Sequence, residues 1–244
     1  MKKCHFARKE VKFCGHLIGS GQRRIDPEKI AVVRDLPVPQ TKTQVRQYLG
    51  FFSWFRDYIP DFASHAKPLT DLTANRVPAK IPWGAAHQAA FVQLKDLLCK
   101  ASREPLSTLD LSKPFNTFVD ASSFAIAGIL TQTDENGNEN PIAFASRKLN
   151  KTQQAWCTVE KESYAALWAL QKYRNWIFGA EITVHSDHNP ITYLTESAPK
   201  SFKLMRWALA IQEFNVKFKF RAGKTNTAAD CLSRAGPTGE DGRG

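Results

Sequence analysis

From Phe115 onward the apolar residues change period in a set order, and that order restricts the possible folds more than any other feature. Phe115 to Asp120, Ala125 to Gln132 and Ile142 to Ser146 predict three strands. Asp134-Glu135-Asn136-Gly137-Asn138 between the last two is a turn, because Asn and Gly tolerate positive φ. A long helix is predicted from Thr152 to Phe178, ended by Gly179. Glu181 to Asp187 is a fourth strand, Asn189-Pro190 opens a short helix and Ser201 to Ala210 forms another. Phe214, Val216, Phe218 and Phe220 alternate with Asn215, Lys217 and Lys219, so the fifth strand is the clearest. A short helix from Asn226 to Leu232 follows, and the tail from Gly236 is expected to be disordered. This order describes an α/β domain of about 120 residues, a mixed five-stranded sheet covered by helices.

The front of the chain has a different pattern. Val11 to Ile25 holds short apolar segments broken by Gly15, Gly19 and Gly21 and predicts a β-hairpin. Asp26 is placed to cap a helix with Pro27 at its first position, and Pro37 and Pro39 end it. A second helix begins near Thr41, with Val45, Tyr48, Leu49, Phe52 and Phe55 as its apolar stripe, and stops at Pro60. A third runs from about Phe62 to Leu72, with Pro68 as a breaking point. Residues 74–83 are a linker, and Trp83 to Cys99 is a further amphipathic helix.

Hydrophobic residues make up 43% of the 244, enough for a core, so a wholly disordered chain is excluded. The net charge of +11 and pI of about 9.5 favour polyanionic partners and say nothing about fold. Five scattered cysteines argue against a disulfide framework and for a reducing compartment. Cys4, His5, Cys14 and His16 lack the pair spacings of a zinc site, and Cys14 and His16 alternate as strand residues would. No signal-peptide pattern is present, and no apolar run approaches the roughly 20 residues of a membrane span. The expectation is a soluble intracellular protein.

The chemistry-bearing candidates are acids. Asp120 and Asp187 close predicted strands, where sites in open α/β sheets gather, although such an Asp is more often a turn residue. Extending the helical stripe Ala166, Leu170, Tyr173, Ile177 back one turn reaches Glu162, which would then point at the sheet. The alternative is an exposed helix end where Glu160 and Glu162 merely favour the dipole. Asp230 lies on the last short helix, as a surface acid or as a fourth member. Four converging carboxylates would suit two hard cations about 3.5–4 Å apart.

Several runs then become recognisable: Phe118-Val119-Asp120-Ala121-Ser122, Gly128 to Gln132, Pro141 to Leu149, Glu160-Lys161-Glu162, Ser186-Asp187-His188, Arg206-Trp207 and Gly223 to Arg234. In this order and spacing they resemble the ribonuclease H domain of gypsy-type long-terminal-repeat retrotransposons. Phe13 to Ile18, Asp26 to Ile30, Pro37-Val38-Pro39, Tyr48 to Phe51 and Arg56 to Pro60 resemble the primer-grip hairpin and thumb of such reverse transcriptases. Trp83, Ala90-Phe91 and Leu94-Lys95 resemble the connecting helix.

The resemblance, over roughly residues 3–235, implies a ribonuclease H-like α/β fold preceded by a hairpin and a small helical thumb and connection region. It divides the chain into residues 1–78 (hairpin and thumb), 79–111 (connection), 112–235 (ribonuclease H-like domain) and the tail 236–244. It implies Asp120, Glu162, Asp187 and Asp230 as catalytic residues holding two Mg²⁺ ions, with Mn²⁺ as a substitute. It implies hydrolysis of the RNA strand of an RNA–DNA hybrid, leaving a 3′-hydroxyl and a 5′-phosphate. The Tyr-x-Asp-Asp polymerase motif is missing, so polymerisation is not expected from this chain alone, and a longer polyprotein is a candidate partner. The alternative is a non-catalytic nucleic-acid-binding relic of a retrotransposon.

Hybrid contacts are expected from Ser122, Arg147, Asn189, Arg206, Lys224 and Asn226, with Lys148 and Lys203 as further cations and Lys42, Arg46 and Arg56 in the thumb. Trp54, Phe55 and Tyr58 are expected in the core, and His185 and His188 as sheet and cap residues.

Overall fold

The computed structural model describes residues 8–187 and 201–220. Strands β1 (Glu10–Phe13), β2 (His16–Gly19) and β3 (Gln22–Ile25) form an antiparallel meander, extended by the two-residue β4 (Leu106–Ser107). The sequence suggested only a hairpin here. Cys14-Gly15 and Ser20-Gly21 each place two consecutive residues at positive φ, the type I′ geometry that matches strand twist, so two tight turns fit where one was expected.

Helix α1 (Pro27–Arg34) is capped by Asp26, whose Oδ1 accepts from Glu28 N at 3.1 Å. Helix α2 (Lys42–Trp54) starts in a capping box between Thr41 and Gln44. A 3₁₀ turn (Arg56–Tyr58) leads to α3 (Phe62–Asp71), which runs through Pro68 unbroken, with Phe62, Ala66 and Leu69 buried along it. Helix α4 (Ala85–Ala101) packs Phe91, Leu94 and Leu98 into the same core as Phe52, Phe55, Ile59 and Leu69. Helix α4 and the front unit therefore share one hydrophobic cluster.

The second sheet has the order β7-β6-β5-β8-β9, from β5 (Phe115–Ala121), β6 (Ala125–Thr133), β7 (Glu139–Lys148), β8 (Glu181–Ser186) and β9 (Asn215–Phe220). β5, β6 and β7 pair antiparallel, while β5–β8 and β8–β9 are parallel. The predicted long helix is two: α5 (Lys151–Gln154) and α6 (Thr158–Ile177). Asn150 and Gln153 form a capping box around the short first helix. That Asn-x-x-Gln signal was readable in the sequence. Helix α7 (Phe202–Ile211) begins at Ser201, whose hydroxyl caps it by accepting from Leu204 N.

Helix α6 lies on the sheet at close range through Ala165, Ala166 and Ala169. The Tyr173 hydroxyl, fully buried, is shared between the carbonyls of Gly128 at 2.9 Å and Ala143 at 3.1 Å, tying α6 to β6 and β7. Tyr173→Phe is expected to cost about 1–2 kcal/mol, read as a lower urea midpoint at constant slope. An unchanged midpoint would show that the bond adds nothing.

The front unit docks on β7. Ala63 N donates to Ser146 Oγ at 2.7 Å, Arg23 donates to the Ile142 carbonyl at 3.1 Å, and Lys148 pairs with Asp71. Phe144 packs into the front core. With α6 on one side and this docking on the other, Ala125–Gln132 of β6 are all buried.

Candidate active site

β5 and β8 are parallel neighbours in register Phe118↔His185. Two residues further on, both strands deliver an aspartate to the same edge: Asp120 from β5 and Asp187 just past β8. Glu162, in the second turn of α6, completes the group. One carboxylate oxygen from each lies within 4.8 Å of the others, and among the described residues this is the cluster of acids, histidines and cysteines that could hold a cation.

The three acids differ in environment. Asp120 is exposed, Asp187 half-buried and Glu162 1% exposed. Burial, then the charges of Asp120 and Asp187, push the Glu162 carboxyl up to about 8, opposed by the Ala121 backbone. Three negative charges this close are costly unless a proton or a cation offsets them. All the donors are carboxylate oxygens, a set that suits a hard divalent ion such as Mg²⁺. Asp230 lies outside the described residues.

The other candidates divide. The Ser122 hydroxyl accepts from Ala125 N at 2.9 Å and shapes the β5–β6 turn. Arg147 is exposed and donates to Tyr164 Oη at 3.2 Å, and Arg206 is exposed on α7. Asn189, Lys224, Asn226 and His188 lie outside the described residues. His185 stacks on Phe118 at 4.5 Å and meets Asn116 Oδ1 at 3.3 Å, as a sheet residue would. Several cations read as phosphate contacts have protein partners. Lys203 pairs with Glu160 at 2.7 Å, Lys42 donates to the Ala74 carbonyl at 3.0 Å and Arg46 to that of Thr73 at 3.2 Å. Arg56 is exposed. Phe55 and Tyr58 are core, but Trp54 is 59% exposed, contrary to expectation. Its indole N–H holds the Cys14 carbonyl at 3.0 Å and its ring stacks over His16, anchoring it to the surface meander.

Asp61, at the start of α3, was not foreseen. Burial pushes its carboxyl up, and Asp120 adds to the shift while Ser64 and His65 oppose it. No signal in the sequence ties residue 61 to residue 120, because the relation exists only through docking on β7.

Residues 110–214 match the RNase H-like domain found in reverse transcriptase. Those residues belong to that family. The chain as a whole is 36% identical over 249 residues to the Pol polyprotein of the Drosophila melanogaster transposon opus, covering 97% of the chain and 24% of the polyprotein. To that of the Drosophila transposon gypsy it is 33% identical, covering 96% and 23%. To the Gag-Pol polyprotein of koala retrovirus it is 37% identical over 188 residues, covering 77% and 11%. It thus spans about a quarter or less of these relatives' length. The foamy viral protease-reverse transcriptase in complex with RNA/DNA hybrid superposes with TM-score 0.77 at 22% identity, over 100% of this chain and 32% of that one. The match confirms the fold: a ribonuclease H-like mixed sheet with flanking helices behind an antiparallel front unit. No helix among the described residues is long and apolar enough to cross a membrane.

Proposed function

We propose that this chain is a ribonuclease H that hydrolyses the RNA strand of RNA–DNA hybrids, and that it works as part of a longer Pol polyprotein with RNA-directed DNA polymerase activity. The observation that carries the reading is the convergence of Asp120, Glu162 and Asp187 at one sheet edge, oxygens within 4.8 Å. Residues 1–78 would serve as hairpin and thumb, 79–111 as connection and 112–235 as the nuclease, with Asp230 as a fourth ligand. The structural neighbour's complex with an RNA/DNA hybrid supports the substrate class.

Asp120, Glu162 and Asp187 would hold two Mg²⁺ ions. Bound there, such a pair supplies Lewis acidity and a water acidified toward hydroxide. The chain's own residues set the stage. The exposed Asp120 leaves one side of the cluster open to a phosphodiester backbone. Buried Glu162 keeps a proton near neutral pH until a cation replaces it. Arg147 and Arg206 present charge to the flanking phosphates, and the net charge of +11 draws in the polyanion. Ser122, Asn189, Lys224 and Asn226 are the remaining proposed contacts.

The test is end-labelled RNA annealed to DNA, incubated with the purified chain and Mg²⁺. The expected outcome is cutting of RNA only within the hybrid, leaving 3′-hydroxyl ends and stopped by a chelator. Hybrid that is bound but left whole in both Mg²⁺ and Mn²⁺ would make the chain a non-catalytic nucleic-acid-binding relic.

A further inference from the structure

Helix α6 delivers Glu162, yet its start is weakly specified by local sequence. It follows a break after α5, and its N-cap, Cys157, makes no side-chain capping hydrogen bond among the described residues. Such a start frays more readily than one capped by Ser, Thr, Asp or Asn. Helix α7 supplies what the cap does not. Lys203 Nζ stands 2.7 Å from Glu160 Oε1 in the first turn of α6. The same ammonium lies 4.2 Å from the ring centre of Trp156, just before the helix, and 5.6 Å from that of Trp207. Trp156, Tyr164 and Trp207 close into a triangle with centroid separations of 5.3, 5.3 and 5.5 Å. Arg147 from β7 bonds to the Tyr164 hydroxyl, tying the sheet to the same cluster. The Lys203–Glu160 pair is sheltered, with side-chain exposures of 28% and 20%, so solvent screens it less than an open surface pair.

We propose that Lys203 and Trp207 of α7 are positioning residues that lock the first two turns of α6, and so set the place of Glu162 at the carboxylate edge. The proposal rests on reading Glu162 as a cation ligand. It assigns Lys203 a role different from the phosphate contact its charge suggests. Both ends of the lock flank Glu162 in sequence, Glu160 before it and Tyr164 after it, so loosening either end frees the turn that carries the carboxylate.

The two roles predict opposite behaviour. If Lys203 gripped phosphate, Lys203→Met would weaken hybrid binding and flatten its salt dependence, while Glu160→Gln, by removing a repelling carboxylate, would strengthen binding. As a lock, Glu160→Gln and Lys203→Met act alike. Each is expected to speed amide exchange across residues 161–164 of the cation-free protein by about ten-fold. Each should also raise the Mg²⁺ concentration needed for half-maximal thermal stabilisation about three-fold. Lys203→Arg, which keeps a cation for both Glu160 and the rings, should leave both readouts near those of the original chain. Unchanged exchange in the Glu160→Gln and Lys203→Met variants, or opposite effects of the two on binding, would overturn the lock. Faster exchange in the variants of a chain that shows no Mg²⁺ response would leave the lock standing and overturn the nuclease reading instead.

Discussion

Glu162→Gln is expected to abolish hybrid cleavage and, in cation-free buffer above pH 8, to make the protein more stable. The carboxyl is pushed up to about 8 from an ordinary 4.5 by burial and by its two acidic neighbours. The folded state therefore binds this proton more tightly than the unfolded state. Stability is full below about pH 4.5, declines as pH rises, and reaches its floor above about pH 8. Glutamine carries no charge to desolvate, so the variant escapes the decline. Its advantage should be near zero at pH 4 and grow to a few kcal/mol, roughly 5–10 °C in melting temperature, by pH 9. Mg²⁺ should reverse the order, because cations bind the folded wild type and offset its repulsion by mass action. Cleavage should fall by about 10³-fold or more, the equivalent of about 4 kcal/mol of cation-derived stabilisation. Melting curves of both proteins across pH 4–9, with and without Mg²⁺, check all of this. A variant less stable than wild type at pH 9 would mean that Glu162 makes stabilising bonds that outweigh its burial.

Gly128→Val should cost much of the domain's stability. A Cβ on Gly128 would lie 3.2 Å from the Cβ of Ala169 and 3.9 Å from the Tyr173 ring. Valine adds two methyl groups to a seam that has no room for them. Either α6 lifts from β6, breaking the Tyr173 bonds to Gly128 and Ala143, or the strand buckles. Overpacking of this kind costs about 3 kcal/mol. The effect should reach the carboxylate edge, because the same helix carries Glu162, so the variant's response to Mg²⁺ should weaken too. Urea unfolding measures the first effect and a Mg²⁺ titration of melting temperature the second. A loss under about 0.5 kcal/mol would show that the seam is loose.

Much of the site could be read before the fold. Asp120 and Asp187 end runs that read as strands, and the stripe through Ala166, Leu170, Tyr173 and Ile177, extended back one turn, reaches Glu162. Helix periodicity carries phase, so it predicts a facing direction. It carries no distance, so it could not say that the three carboxylates meet within 4.8 Å. The division of the long helix at residues 155–157 was missed because a capping box inside a helical pattern is easily overridden by the pattern around it. The partners of the cations were not legible. A lysine's sequence neighbours do not show where its flexible stem will reach, and Lys42, Arg46, Lys148 and Lys203 all found partners distant in the chain.

The linear chain by itself determined most of the order of strands and helices, the turn at Asp134–Asn138, the caps at Asp26 and Thr41, and which acids could face the sheet. These depend on backbone preference and apolar spacing over a few residues, which are local. Tertiary structure alone decided the parallel pairing that sets Asp120 beside Asp187, the docking of the front unit on β7 and the hold of α7 on the start of α6. Each joins residues tens of positions apart, and pairings at that range are selected by how whole surfaces fit together, a quantity no short stretch of sequence contains.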